Sequence, residues 1–106
     1  MGVLVRFSPG LRDMARWLLL DGRVDVPYLE GILLRGSTHD LITRAWDNLT
    51  MEDRELALRL LRKLPVDRSK CSNLKEAGFA CVYLGPGMEL THDAWDYLHR
   101  RYPVKP

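Results

Sequence analysis

Apolar and polar positions follow a helical period along most of this chain, and the stretch from Asp47 to Pro65 shows it most clearly. Thr50 stands where an N-cap belongs, with Asp53 three residues on as its capping-box partner. Glu52, Asp53 and Glu55 place negative charge at the start, and Arg62 and Lys63 place positive charge at the end, as the helix dipole favours. Leu56, Leu60, Leu61 and Leu64 form one stripe between them. Pro65 then bars Leu64 from continuing the helix.

The same pattern predicts neighbours on both sides. Ser8-Pro9 opens a helix with Leu11, Met14, Ala15, Leu18 and Leu19 on one side, ending at Asp21-Gly22. Asp25 and Pro27 announce a shorter helix with Tyr28, Leu29, Ile32 and Leu33, closed by Gly36. Ser37 caps a third, whose apolar side is Leu41, Ile42, Ala45 and Trp46. After Pro65 the polar run to Asn73 is a loop, and Ser72 or Asn73 caps a fifth helix through Leu74, Ala77, Cys81 and Leu84. A strand at Phe79–Leu84 competes with that helix. Gly85-Pro86-Gly87 is a turn. Thr91 caps a last helix with Trp95 and Leu98 facing inward and His99, Arg100 and Arg101 at its basic end. The expectation is an all-α single domain over residues 1–106, about five or six short helices with no convincing sheet. Helices this short depend on mutual packing and on partners.

Composition narrows the function classes. The 106 residues are 46% apolar and 28% charged, which excludes a disordered chain. The longest early apolar run, Trp17 to Leu20, is far short of the roughly 20 residues of a membrane span. A net charge of +2 is too small to argue for nucleic acid alone. Cys71 and Cys81 match no metal or redox spacing and are expected as reduced thiols. Arg6, Arg12 and Arg16 give the N-terminus the composition of a mitochondrial targeting helix, in a segment that also reads as folded. Arg6 rules out a myristoylation motif, and Asn48-Leu49-Thr50 is a formal glycosylation sequon in which Thr50 already has a capping role.

Catalytic patterns are poor. His39, His92 and His99 are scattered, Gly85-Pro86-Gly87 lacks the Lys-Ser/Thr of a phosphate loop, and no nucleophile–base pair stands at recognisable spacing. No cofactor or metal is expected. The basic residues are more informative: Arg62, Lys63, Arg68, Arg100 and Arg101 read as contacts to a partner or to anionic lipid headgroups. RNA is the weaker phosphate source, because no aromatics interleave with them. Leu60, Leu64, Pro65 and Trp95 read as structural anchors.

Two segments also resemble a known family. Asp47-Asn48-Leu49, Glu52-Asp53 and Leu61-Arg62-Lys63-Leu64-Pro65, followed about thirty residues later by Leu90-Thr91-His92-Asp93-Ala94-Trp95, are similar to the small helical subunit 7 of mitochondrial ubiquinol–cytochrome c reductase, complex III. The likeness lies within residues 40–102 and covers less than half the chain; residues 1–39 are divergent, and Thr91 stands where the family has proline. The resemblance implies a non-catalytic accessory subunit, peripheral on the matrix side of the inner membrane, that contacts cytochrome b and the core subunits and supports assembly. An RNA-contacting protein of the mitochondrial ribosome and a stand-alone helical adaptor are the alternatives from other classes; an enzyme comes last.

Overall fold

The computed structural model describes residues 2–82 and 87–103. Six α-helices and one small hairpin follow in the order α1 (Pro9–Leu20), α2 (Val26–Arg35), α3 (Thr38–Asp47), α4 (Met51–Leu61), α5 (Ser72–Glu76), β1 (Ala80–Val82), β2 (Met88–Leu90) and α6 (His92–Arg101). Single 3-10 turns lie at Leu4–Arg6 and Arg68–Lys70. The fold is mostly α, as the periodicity predicts.

The caps explain where the helices begin. Asp25 accepts the Tyr28 amide at 2.9 Å, and Thr50 Oγ1 accepts the Asp53 amide at 3.1 Å. Asp53 does not complete the capping box. Its carboxylate is buried and accepts the Asn73 side-chain amide at 2.7 Å, tying α4 to α5. Ser37 precedes α3 without a side-chain cap bond, and its hydroxyl is buried without a partner.

The helix ends share one device. In α1, α2, α4 and α5 the chain leaves through a left-handed residue, and the next amide reaches back five residues to a helix carbonyl. Three of these left-handed residues are glycines, Gly22, Gly36 and Gly78; the fourth is Lys63, at φ 59°. Pro65 excludes the helical conformation for Leu64, so the exit is forced just before it. α4 therefore stops at Leu61, earlier than its leucine pattern implies, and Leu64 leaves the stripe for a 43% exposed position.

The core gathers around α1. Met14 and Leu18 of α1, Leu29 and Ile32 of α2, Leu41 of α3, Leu74 of α5, Leu98 of α6 and Phe79 are wholly buried. α1 lies against α3, α5 and α6, while α4 lies against β2, α5 and α6. The Trp46 ring meets Phe79 at 5.9 Å and Tyr102 at 6.0 Å, both tilted. Gly78 is the tightest point. A Cβ there would stand 2.7 Å from the Gly10 carbonyl oxygen and 3.0 Å from the Met14 amide nitrogen.

Gly78 also corrects the expected fifth helix. α5 ends at Glu76 because the chain turns left-handed at Gly78, so Cys81 lies on a strand instead of continuing the helical spacing. The competing strand is the one realised: β1 pairs antiparallel with β2, Ala80 opposite Leu90, Cys81 opposite Glu89 and Val82 opposite Met88. Leu84 and the first two residues of Gly85-Pro86-Gly87 lie outside the described residues. Both cysteines are free, Cys71 buried and Cys81 half-buried.

Candidate functional site

The C-terminal end of α4 does not meet the rest of the fold flush. Between it, β2 and α6 lies a groove of about 480 Å³ lined by Leu60, Leu61 and Leu64 from α4 and its exit, Met88 and Leu90 from β2, and Trp95 from α6. Lys63 and Glu89 supply its charge. The Trp95 ring is stacked on His99 at 4.6 Å, nearly parallel, which fixes its orientation at the mouth.

Three of the four expected anchors thus come together, at the surface. Leu60 is half-buried, Leu64 and Trp95 are each 43% exposed, and Pro65 is exposed. The expectation that Trp95 faces inward is corrected: Ala94, Tyr97 and Leu98 take the buried side of α6, which turns Trp95 outward. Pro65 has a different task. Its carbonyl oxygen accepts from Arg59 Nε at 3.0 Å and Nη2 at 2.9 Å, closing the exit loop back onto α4. Arg59 is thereby turned toward the loop, and Glu55, one helical turn before it, keeps no ion pair among the described residues.

The basic residues do not form one patch. Lys63 lines the groove and Arg62 precedes it in the chain; both are exposed, and among the described residues neither has an ion-pair partner. Arg68 opens the 3-10 turn in the following loop, where Asp67 accepts both the amide and the hydroxyl of Ser69. Those bonds hold the Asp67 carboxyl below its ordinary range. Arg100 and Arg101 belong to a second cavity of about 530 Å³ between α3 and α6, which His39, Asp93, Asp96 and Tyr97 also line. Both are engaged there. Arg100 pairs with Asp96 at 3.4 Å, and Arg101 donates to the Tyr97 hydroxyl with its guanidinium over the Tyr97 and Tyr102 rings.

Lys63 is the informative member of the set. A left-handed residue at a helix exit is ordinarily glycine, and any side chain there costs about 1 kcal/mol. Here the side chain is a cation that lines the groove together with Glu89. Among the described residues no group of three histidine, cysteine or carboxylate side chains is arranged to hold a metal, and no helix is long and apolar enough to cross a membrane.

No family model, curated protein or solved structure matches this chain. The groove therefore stands on its own geometry. Sequence reasoning missed Met88 and Leu90 in its lining, although their alternation around Glu89 after the sequence Gly85-Pro86-Gly87 is a hairpin pattern.

Proposed function

We propose that this chain is a non-catalytic docking subunit that binds a partner through the groove between α4, β2 and α6. The observation that carries the reading is Lys63. Its strained backbone, and a charge with no ion-pair partner among the described residues, are kept at the end of α4 where Leu64 and Trp95 also stay exposed. Strain of this kind is retained where a function needs the side chain. A groove lined by leucines, a methionine and a tryptophan together with Lys63 and Glu89 can take a partner segment and orient it by charge.

The assembly we propose for it is mitochondrial ubiquinol–cytochrome c reductase, on the matrix side of the inner membrane, with cytochrome b and the core subunits as partners and anionic headgroups within reach of the basic residues. Support comes from the two segments similar to the family's subunit 7. Leu61 to Pro65 and Leu90 to Trp95 are far apart in sequence, yet both contribute walls to the same groove. A shared motif pair that converges on one surface is what a common docking role would produce. Lys63 is the basic contact in this groove, with Arg62 next to it in the chain, and Arg100 and Arg101 belong to a separate surface.

The test is affinity purification of the tagged chain in mild detergent, followed by a reduced-minus-oxidised spectrum of the eluate. The expected result is a b-type and c-type haem signature in a large assembly, lost when Arg62 and Lys63 are both replaced by Glu. An eluate without haem overturns the complex III assignment. Ribosomal RNA in it would favour the ribosomal reading, and a lone chain the adaptor.

A further inference from the structure

We infer that the occupant of the groove is an extended segment of the partner, paired with the outer edge of β2 as a third strand of the hairpin. It carries a basic residue beside Glu89, between two apolar ones. This rests on the groove being a docking surface, and not on which assembly the protein joins.

The register decides which backbone groups of β2 are free. Ala80 stands opposite Leu90, Cys81 opposite Glu89 and Val82 opposite Met88, and the Thr91 amide donates to the Phe79 carbonyl at 3.0 Å. In an antiparallel ladder, pairs that exchange hydrogen bonds alternate with pairs that do not. The exchanging pairs are therefore Phe79 with Thr91 and Cys81 with Glu89, so Glu89 turns its amide and carbonyl toward β1. Met88 and Leu90 turn theirs the other way, to the outer edge. Among the described residues the sheet has no third strand, and no group hydrogen-bonds to those two amides or two carbonyls. An edge with its donors and acceptors unpaired is a template for another strand.

The side chains place the groove along that edge. Successive residues of a strand point to opposite faces, yet Met88, Glu89 and Leu90 all line the groove. A groove lying over one face would meet only alternate side chains. An added strand lies about 4.8 Å from β2, its side chains in step with those of β2. Two of them fall beside half-buried Met88 and Leu90, and the one between falls beside Glu89. Glu89 is exposed and has no ion-pair partner among the described residues. Apolar residues therefore suit the outer places and a basic residue the middle one. A second copy is the poorer occupant: the same edge, paired with itself about Glu89, sets two carboxylates directly opposite each other.

Hydrogen exchange of the purified full chain, read amide by amide by NMR, tests this, with peptides selected from a random library displayed on phage as the probe. The selected peptides should alternate apolar residues with a basic one. In the free chain the Glu89 amide should exchange slowly and those of Met88 and Leu90 fast. Saturating peptide should slow the latter two by about tenfold or more, the worth of a hydrogen bond. Met88→Pro removes one outward donor at an edge position that accepts proline, after Gly87, and leaves the ladder to β1 in place. It should weaken peptide binding about tenfold while Glu89 stays protected. Glu89→Lys should turn the selected middle residue from basic to acidic. The exchange measurement needs no variant, so it decides the matter even if Met88→Pro fails to fold. Peptides with apolar residues at helical spacing, a library that yields no binder, unchanged exchange at Met88 and Leu90, or a folded Met88→Pro that binds undiminished overturns the inference. Protection of the same two amides without peptide, rising with protein concentration, overturns it in favour of a second copy. If the haem-containing assembly is nevertheless captured, and lost on the Arg62, Lys63 double reversal, only strand addition fails and the docking role stands.

Discussion

α1 and α4 carry similar leucine-rich stripes, yet one is sealed and the other is not. The stripe of α1 meets α3, α5 and α6, and Met14, Ala15 and Leu18 lose all exposure. The stripe of α4 is sealed at Leu56, Ala57 and Leu61, while Leu60 is half-buried and Leu64, past the helix end, is open. The difference lies in what covers each helix. α3, α6 and the short α5 cover α1, whereas strand β2, three residues long, lies with α6 against α4. Apolar periodicity states that a face needs cover; it does not state how much of that cover the chain itself provides.

Substitutions should separate the two regions sharply. Gly78→Ala should have the largest effect, about 3 kcal/mol or more, since it adds left-handed strain to a clash with the Gly10 carbonyl; chemical denaturation measures it. Leu18→Ala should cost about 2–5 kcal/mol by the same measurement, while Leu64→Ala at the groove should cost under about 1 kcal/mol and still weaken partner capture. Equal costs for the two leucines would remove the distinction between sealed and open stripes. Lys63→Gly should raise stability by about 0.5–1 kcal/mol, because glycine adopts that backbone without strain, and should at the same time reduce co-purification with the partner. A stabilised variant with undiminished binding would show that the cation is not used.

The smallest effect concerns Cys71. Burial, followed by the charges of Asp67 and Asp53, pushes its thiol above the ordinary range. A group whose folded value is raised contributes stability that is intact below the unfolded thiol value and lost as pH rises through the folded one. Melting scans toward alkaline pH should therefore show a decline that Cys71→Ala removes. At neutral pH a thiol reagent should label half-buried Cys81 well before Cys71.

The first four helices were legible in the sequence because their signals are local. Asp25, Thr50, Gly22 and Gly36 act within a few residues of where they stand. The C-terminal part was read less well because its decisive contacts are distant. Gly78 is a helix exit on account of α1, and the hairpin needs two segments to pair across a turn. Thr91 shows the same thing: its hydroxyl, expected to cap α6, donates to the Gly78 carbonyl at 2.7 Å. Leu60, Leu64 and Trp95 read as anchors from residue type, which does not reveal a face left uncovered. Charge alone groups Arg100 and Arg101 with Arg62 and Lys63, but α6 sends its two arginines to another surface.

The start of α1 depends on residues that arrive much later. Its first turn contains no acid of its own and Ser8 makes no cap bond. Asp93 of α6 packs so close that a methyl group on Gly10 would meet its Oδ2 at 2.8 Å, and Gly78 seats against the Gly10 carbonyl. During synthesis α1 can form as a helix, but the contacts that fix its beginning wait until residue 93 has left the ribosome. Closure of this domain is therefore a late, long-range event, and a growing chain stopped before α6 would leave the face of α1 built around Met14 and Leu18 without its full cover.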